Sequence, residues 1–341
     1  MGRHRQRLPW IAAIAAAALL AWMVPGRADT PELLAQGQKL YTQGKFAEAI
    51  DLLAKLAQDS TLGNAEAKSV FLLLAKATAA KGFPDQSEAY FTKVLDIDPK
   101  YQLDTKVEPP QVQRVWFKVD EARRAAGPPD PGIKTIAVLY FENNSVADRD
   151  AMAGLSKGLA AMLVTDLSRL SDLRVVERER IQYILDEIKM EQSEYFEESS
   201  AVRVGKLLGA HTLLMGSFSK LDKKKLRIDA RLVKTETGEL IKAEKVEGDP
   251  RKLAQLQSDL TLKIAGDLNL TVKEMQDKAI RADGGQPIEA VLAYTRGLNL
   301  EDEQKMAAAY EAYKEALAAY PNHEAARDRL VALEPLVAAG G

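Results

Sequence analysis

Residues 134–141 read Lys-Thr-Ile-Ala-Val-Leu-Tyr-Phe, and from Ile136 to Phe141 every side chain is apolar or aromatic. A short unbroken run of this kind is a strand covered on both faces, which places it inside a sheet flanked by helices. Downstream the period changes: Met152, Leu155, Leu159, Met162, Leu163, Leu167 and Leu170 recur at steps of three and four and form one helical face. A second strand near 173–177 leads into another helix bearing Ile181, Ile184, Leu185 and Ile188, so the first two strands are expected to be parallel and joined by a crossover helix. A short helix with Val204, Leu207 and Leu208 stops at Gly209, and three strands follow near 211–219, 225–234 and 239–247. The first of these is apolar on both faces at Leu213, Leu214 and Met215. The second alternates Leu226, Ile228, Ala230 and Leu232 with Arg227, Asp229 and Arg231, so one of its faces is wet. Connections at 222–224 and 236–238 are of hairpin length, which predicts an antiparallel meander. Asp249 and Pro250 then start a helix with Leu253, Leu256, Leu260, Ile264 and Leu268 on its packing stripe. The order β α β α α β β β α predicts an α/β domain, a mixed sheet covered by helices.

On both sides of this domain the sequence is helical. Gly37, Gly44, Phe46, Ala49 and Leu53 resemble the tetratricopeptide pattern, as do Phe71, Leu74, Ala75, Gly82, Phe91, Val94 and Pro99. A third stretch, Gly297, Ala309, Tyr313, Ala316 and Pro321, fits far away in the chain. The small residues let paired helices approach, an aromatic fills the groove, and proline ends the second helix. Two units plus a distant one are short of the three or more that an array usually needs, so they must lean on other elements. A helix over 111–126, with Val112, Val115, Trp116 and Val119 on one stripe, is the expected cap of the first pair. The predicted organisation is a leader (1–28), tetratricopeptide-like helical repeats with the capping helix (29–126), a Pro/Gly linker (127–132), the α/β domain (133–275) and an all-α carboxy-terminal hairpin (287–335).

Arg3, Arg5 and Arg7 precede an apolar run from Leu8 to Val24, followed by Gly26, Arg27 and Ala28, which reads as a secretory signal cut before Asp29. An uncleaved anchor is the alternative. The formal net charge is −2, which supplies no general attraction to nucleic acid or anionic lipid. Without cysteine the chain has no disulfide framework, no thiolate metal site and no residue for amino-terminal lipidation. No later segment has the length of apolar sequence that a membrane helix needs, so the mature form is expected to carry no integral span.

The blocks Ala161-Met162-Leu163-Val164-Thr165, Val176-Glu177-Arg178, Leu207-Leu208-Gly209-Ala210 and Thr237-Gly238-Glu239 resemble, in order and spacing, the CsgG family. That family supplies the outer-membrane curli secretion channel and has periplasmic relatives that include the amino-terminal domain of TolB and the flagellar accessory protein FlgO. The similarity spans roughly residues 134–249. It implies a periplasmic domain, associated with the outer membrane in the family's case, that self-associates. Two departures stand against a pore. The family's lipidated cysteine is absent, and so is room for its membrane-crossing hairpins, whose strands need about 9 to 11 residues each.

The sequence holds three histidines, His4, His211 and His323, at spacings that cannot form a cluster. His211 at a strand start is expected to be satisfied by backbone, and the glycines at 154, 158, 205 and 209 to serve helix packing or capping rather than phosphate binding. No catalytic motif, metal set or cofactor site stands out. The candidate interaction residues are Glu177 and Arg178 at a strand-to-helix junction, Tyr195 and Phe196 in the acidic run Glu191 to Glu198, and Tyr41 and Phe46 on the repeats. Without a ligand, Arg178 is expected to pair with Glu177 or Glu187. A basic tip, Lys220 with Lys223 to Lys225, reads as a solvated turn or a lipid-headgroup contact. The expected function is that of a non-enzymatic periplasmic scaffold or accessory protein that contacts envelope proteins through its repeats. The alternative is a ring-forming outer-membrane secretion channel subunit.

Overall fold

The computed structural model describes residues 30–126, 134–189, 198–283 and 285–340. The expected leader, the linker, Tyr195, Phe196 and the acidic run up to Glu197 lie outside the described residues. The apolar run forms the middle of β1 (Lys134–Asn143), where Ile136 to Phe141 are all buried. β1 pairs in parallel with β2 (Leu173–Val175) on one side and β3 (Thr212–Lys220) on the other. β3, β4 (Leu226–Lys234) and β5 (Leu240–Gly248) then run antiparallel, giving the strand order β2-β1-β3-β4-β5. The predicted order of elements, the parallel first pair and the meander are all present.

The helices α1 (Thr30–Thr42), α2 (Phe46–Leu56), α3 (Asn64–Lys81), α4 (Pro84–Ile97) and α5 (Pro110–Ala126) precede the sheet. Within it, α6 (Leu155–Leu167) crosses from β1 to β2, and α7 (Arg178–Glu187) with α8 (Glu198–Leu208) crosses from β2 to β3. The two crossovers run in opposite directions along the sheet, so right-handedness puts them on opposite faces. α9 (Leu253–Asp267) joins α6 on its face and packs on β5. α10 (Glu274–Asp283) follows, then α11 (Ile288–Asp302), α12 (Met306–Ala319) and α13 (Glu324–Ala338).

The flanking helices share one core. Tyr41, Phe46, Leu53 and Leu74 from the amino-terminal side cluster with Leu298, Tyr313, Leu333 and Leu336 from the carboxy-terminal side. α13 packs on α1, so the spatial succession is α11, α12, α13, α1, α2, α3, α4, α5, with the end of the chain stacked before its beginning. The Gly44 turn abuts this seam so closely that a Cβ there would lie 2.4 Å from the backbone nitrogen of Ala339. This succession supplies the neighbours that two isolated amino-terminal hairpins lack.

α5 caps α3 and α4 as expected, with Trp116 edge-on to Phe91 at 5.4 Å, but it has a second partner on its other side. Phe117 lies 5.9 Å from Tyr183 of α7, and Arg180 of α7 reaches Asp120 at 3.1 Å. At the opposite end α11 packs on α6, so the helical array holds the sheet domain at both ends. The α6–α11 contact is close because Gly158 has no side chain: a Cβ there would lie 2.1 Å from Thr295 Oγ1.

A buried ion pair locks the array. Arg329 donates to Glu301 at 2.9 and 2.5 Å, Tyr313 Oη donates to the same carboxylate at 2.5 Å, and all three side chains are buried. The other arm of Arg329 donates to the carbonyls of Lys106 and Glu108, at 3.0 and 3.2 Å, holding the connection between α4 and α5 against α13. Glu108 itself is buried against Lys76 of α3.

Two substitutions test this frame by urea denaturation. Gly158→Ala is expected to cost about 1–3 kcal/mol by forcing α6 from α11, with part of the loss recovered when Thr295→Ala is added. Arg329→Met strands Glu301 without its cation and is expected to cost about 3–5 kcal/mol, whereas the double change Arg329→Met with Glu301→Leu costs less.

Candidate functional site

The sequence-predicted pair sits where expected, at the end of β2 and the start of α7. Val176 donates its backbone N–H to Ile136, Glu177 takes the N-cap position with φ −63° and ψ 140°, and Arg178 opens the helix. Glu177 is exposed, whereas Arg178 is buried. The expected partners of Arg178 were Glu177 or Glu187; its partners are Asp302, at 3.4 Å from Nη1, and Glu179, at 3.4 Å from Nε. Asp302 ends α11 and lies on the far side of the domain boundary, where Lys157 also reaches it at 2.5 Å. Burial opposes the Arg178 charge, but Asp302 and Glu179 outweigh it and hold the pKa well above the usual arginine value. Arg178 is therefore part of the seam between array and sheet domain, and its Nε makes no hydrogen bond among the described residues.

Tyr41 and Phe46 are core residues, each 5% exposed, with ring centroids 5.7 Å apart. Their aromatic character serves packing between α1 and α2, and they present no contact surface. The basic tip is partly neutralised, since Lys220 pairs with Asp148 at 2.7 Å and Lys225 with Glu247 at 3.4 Å. His211 accepts from the backbone N–H of Thr135 at 3.3 Å, the backbone satisfaction expected of it. A Cβ at Gly205 would collide with Leu213, and Gly209 caps α8 at φ +66°, so these glycines do pack and cap.

A cleft opens at the Glu177–Arg178 junction that sequence reading singled out, with a lining from distant segments that it did not foresee. This cleft of ≈ 120 Å³ is walled by α6, the start of α7, α11, α13 and the turn at Thr105–Val107. An adjoining cavity of ≈ 40 Å³ reaches Gln286 and His323, and the two share Ala161, Thr165, Tyr294, Glu324 and Ala325 as walls. Its residues come from five separate stretches of chain, so no local motif marks it. Thr165 and Ser168 turn their hydroxyls back to their own helix, at 3.0 Å to Ala161 and 2.6 Å to Val164. Tyr294 is buried, and burial raises its phenol far above the usual range, so it remains a hydroxyl at any physiological pH. On the rim, burial raises the Asp328 carboxyl, Lys106 opposes the rise, and Asp104 and Glu324 add to it. Among the described residues no group of three or more His, Asp or Glu could hold a metal ion.

His323 caps α13: its Nδ1 accepts from the backbone N–H of Ala326 at 3.3 Å, and its ring lies 4.7 Å from that of Tyr294. Burial lowers its pKa to about 4 from 6.5. Because the folded value is depressed, the unfolded chain binds the extra proton first. Stability is full above pH 6.5 and falls as pH drops toward 4, by up to about 3 kcal/mol. His323→Asn, which can still cap the helix, is expected to flatten that part of the profile when urea midpoints are measured across the window.

Residues 123–227 match the family model of the curli production assembly/transport component CsgG. No curated protein matches the chain. Among solved structures, the LpoB C-terminal domain from Salmonella enterica is similar at 12% identity, covering 37% of this chain and 90% of that one with a TM-score of 0.25. The LpoB C-terminal domain from Escherichia coli is similar at 16% identity, 39% and 93% coverage and a TM-score of 0.26. Lipoprotein GNA1162 from Neisseria meningitidis is similar at 15% identity, 40% and 98% coverage and a TM-score of 0.29. These structural likenesses are too weak to carry a function. The CsgG match begins at the end of α5 and stops as β4 begins, so it takes in β1 to β3 with α6 to α8 and leaves β5, α9 and the rest of the array outside it.

Proposed function

We propose that this chain is a non-enzymatic accessory protein of the cell envelope, exported to the periplasm, whose CsgG-like sheet domain and tetratricopeptide-type hairpins act by binding other proteins. The observation that carries the reading is how the meander closes. Residues 221–225 join β3 to β4, residues 235–239 join β4 to β5, and Asp249 and Pro250 follow β5 directly. All three strands are engaged in the sheet along their length. The CsgG-like fold is thus complete without the added hairpins by which a pore-forming relative would cross a bilayer. Among the described residues no helix is long and apolar enough to cross a membrane.

Self-association remains part of the proposal, and β5 is its route. Among the described residues the outer edge of β5 has no partner strand, and Leu240 and Ile241 are 53% and 43% exposed on β5.

Crosslinking in intact cells followed by mass spectrometry, with fractionation of the same cells, tests the proposal. The expected outcome is release by osmotic shock together with reproducible crosslinks to envelope assembly or secretion proteins. Recovery as a detergent-requiring, heat-modifiable ring that conducts ions would overturn it in favour of the channel subunit.

A further inference from the structure

Hydrogen bonds at the end of the meander settle which backbone groups of β5 point out of the sheet. Lys234 donates its backbone N–H to Glu239 across the β4–β5 turn, whereas Thr235 donates to His211, so even-numbered residues of β4 face β5 and odd-numbered ones face β3. Through the pairs Ile228↔Val246 and Ala230↔Glu244, the even-numbered residues of β5 bond to β4. Ala243, Lys245 and Glu247 therefore turn their N–H and C=O groups outward, and all three residues are exposed. The Lys245 carbonyl accepts from the Nζ of Lys263 on α9 at 3.1 Å, while the three outward N–H groups have no acceptor among the described residues. Such an edge is a template for another strand.

A second copy of the same strand fits this edge in one register. Two like edges joined by a two-fold axis run antiparallel and keep their faces, so each residue lies opposite one of its own parity. Centring the axis on Lys242, Glu244, Lys245 or Glu247 sets like charges opposite each other. Centring it on Val246 or Gly248 carries the other copy onto Asp249 and Pro250, where the chain leaves the strand. Centring it on Ala243 places Lys242 opposite Glu244 of the other copy, twice, with a small side chain at the axis. Both residues direct their backbone groups to β4, so they form the non-hydrogen-bonded kind of pair, in which side chains lie closest. We propose that two copies of this chain join β5 to β5 about a two-fold axis at Ala243, and that Lys263 guards the edge of the single copy. Lys263 is 47% exposed and its ion pair with Glu244 lies at the surface, a contact of small net worth that an arriving strand displaces. Glu244 then exchanges Lys263 for Lys242 of the other copy. The proposal rests on the self-association reading above and gives it a partner, a register and a guard.

Sedimentation equilibrium of the protein as recovered from cells tests it. Wild type is expected to show a monomer–dimer equilibrium without higher species, because a two-fold interface closes on itself. Lys263→Met, which frees both the Lys245 carbonyl and Glu244, is expected to tighten the dimer about fivefold. Ala243→Pro removes an outward N–H and leaves the ladder to β4 whole, so it is expected to abolish the dimer with the melting temperature little changed. Lys242→Glu sets carboxylates opposite each other, is expected to weaken the dimer about tenfold, and serves as the readout if Ala243→Pro disturbs folding. Dimers that persist through both Ala243→Pro and Lys242→Glu, or that Lys263→Met weakens, overturn the β5 pairing while self-association stands. Monomers throughout, in wild type and Lys263→Met alike, overturn self-association with it, and reproducible crosslinks to envelope proteins would still uphold the scaffold reading.

Discussion

Arg329 stands where three parts of the chain meet: α13 that carries it, Glu301 at the end of α11, and the carbonyls of Lys106 and Glu108 between α4 and α5. A buried guanidinium is tolerated only when its charge and its donors are answered, and here the partners come from two other parts of the chain, α11 and the α4–α5 connection. The requirement restricts how the helices can be arranged. Hydrophobic burial alone would accept several ways of stacking α13 against α1, because apolar side chains pack without direction. The geometry of one guanidinium, with a carboxylate on one side and two carbonyls on the other, accepts far fewer. The permuted stacking, end of chain before beginning, follows from this constraint together with the small residues that bring the helices close.

The same array determines what the sheet domain can do. With α11 against α6 and α5 against α7, both ends of the helical stack are anchored on the domain, and the core of the array even includes Ala161 from α6. The seam carries ion pairs beside apolar contacts: Lys157 and Arg178 converge on Asp302, Arg180 meets Asp120, Phe117 packs on Tyr183, and Val291 of α11 joins the core under the sheet. The charges are paired across the boundary from one turn of α7, where Arg178 faces Asp302 of α11 and Arg180 faces Asp120 of α5.

Sequence patterns revealed the parts that depend on local periodicity. The apolar run of β1, the alternation in β4 and the hairpin-length turns marked the strands and the meander, because a strand's two faces are written in its own residues, whereas the pairing of β1 with β3 was not written there. The close helix pairs were equally readable from glycine and alanine spacing. Contacts between distant segments were not. Arg178 was expected to pair within its own neighbourhood, yet its partner Asp302 is 124 residues away, and nothing local to either residue records that distance. Tyr41 and Phe46 show the converse: aromatics on a repeat read as contact residues until the carboxy-terminal helices cover them. The expected span of the CsgG similarity, 134–249, ran to the end of β5, whereas the match covers 123–227 and ends at the start of β4.

The cleft is the product of joining two bodies rather than of either alone. Where the seam's charges find each other, the groups are satisfied and the surfaces close. At the start of α13 they do not close, because the helix must begin there: its first N–H groups have no preceding turn to bond, and His323 answers one of them. Tyr294 projects into the same gap from α11, and the approach of α11 to α6 is fixed by Gly158 and Thr295. A residue at 158 with a side chain would lift α11 and alter the gap, and so would loss of the Arg329 anchor that positions α13. The cleft and the geometry that holds it open therefore have one origin, the docking of the chain's last helices against both its first helices and its sheet.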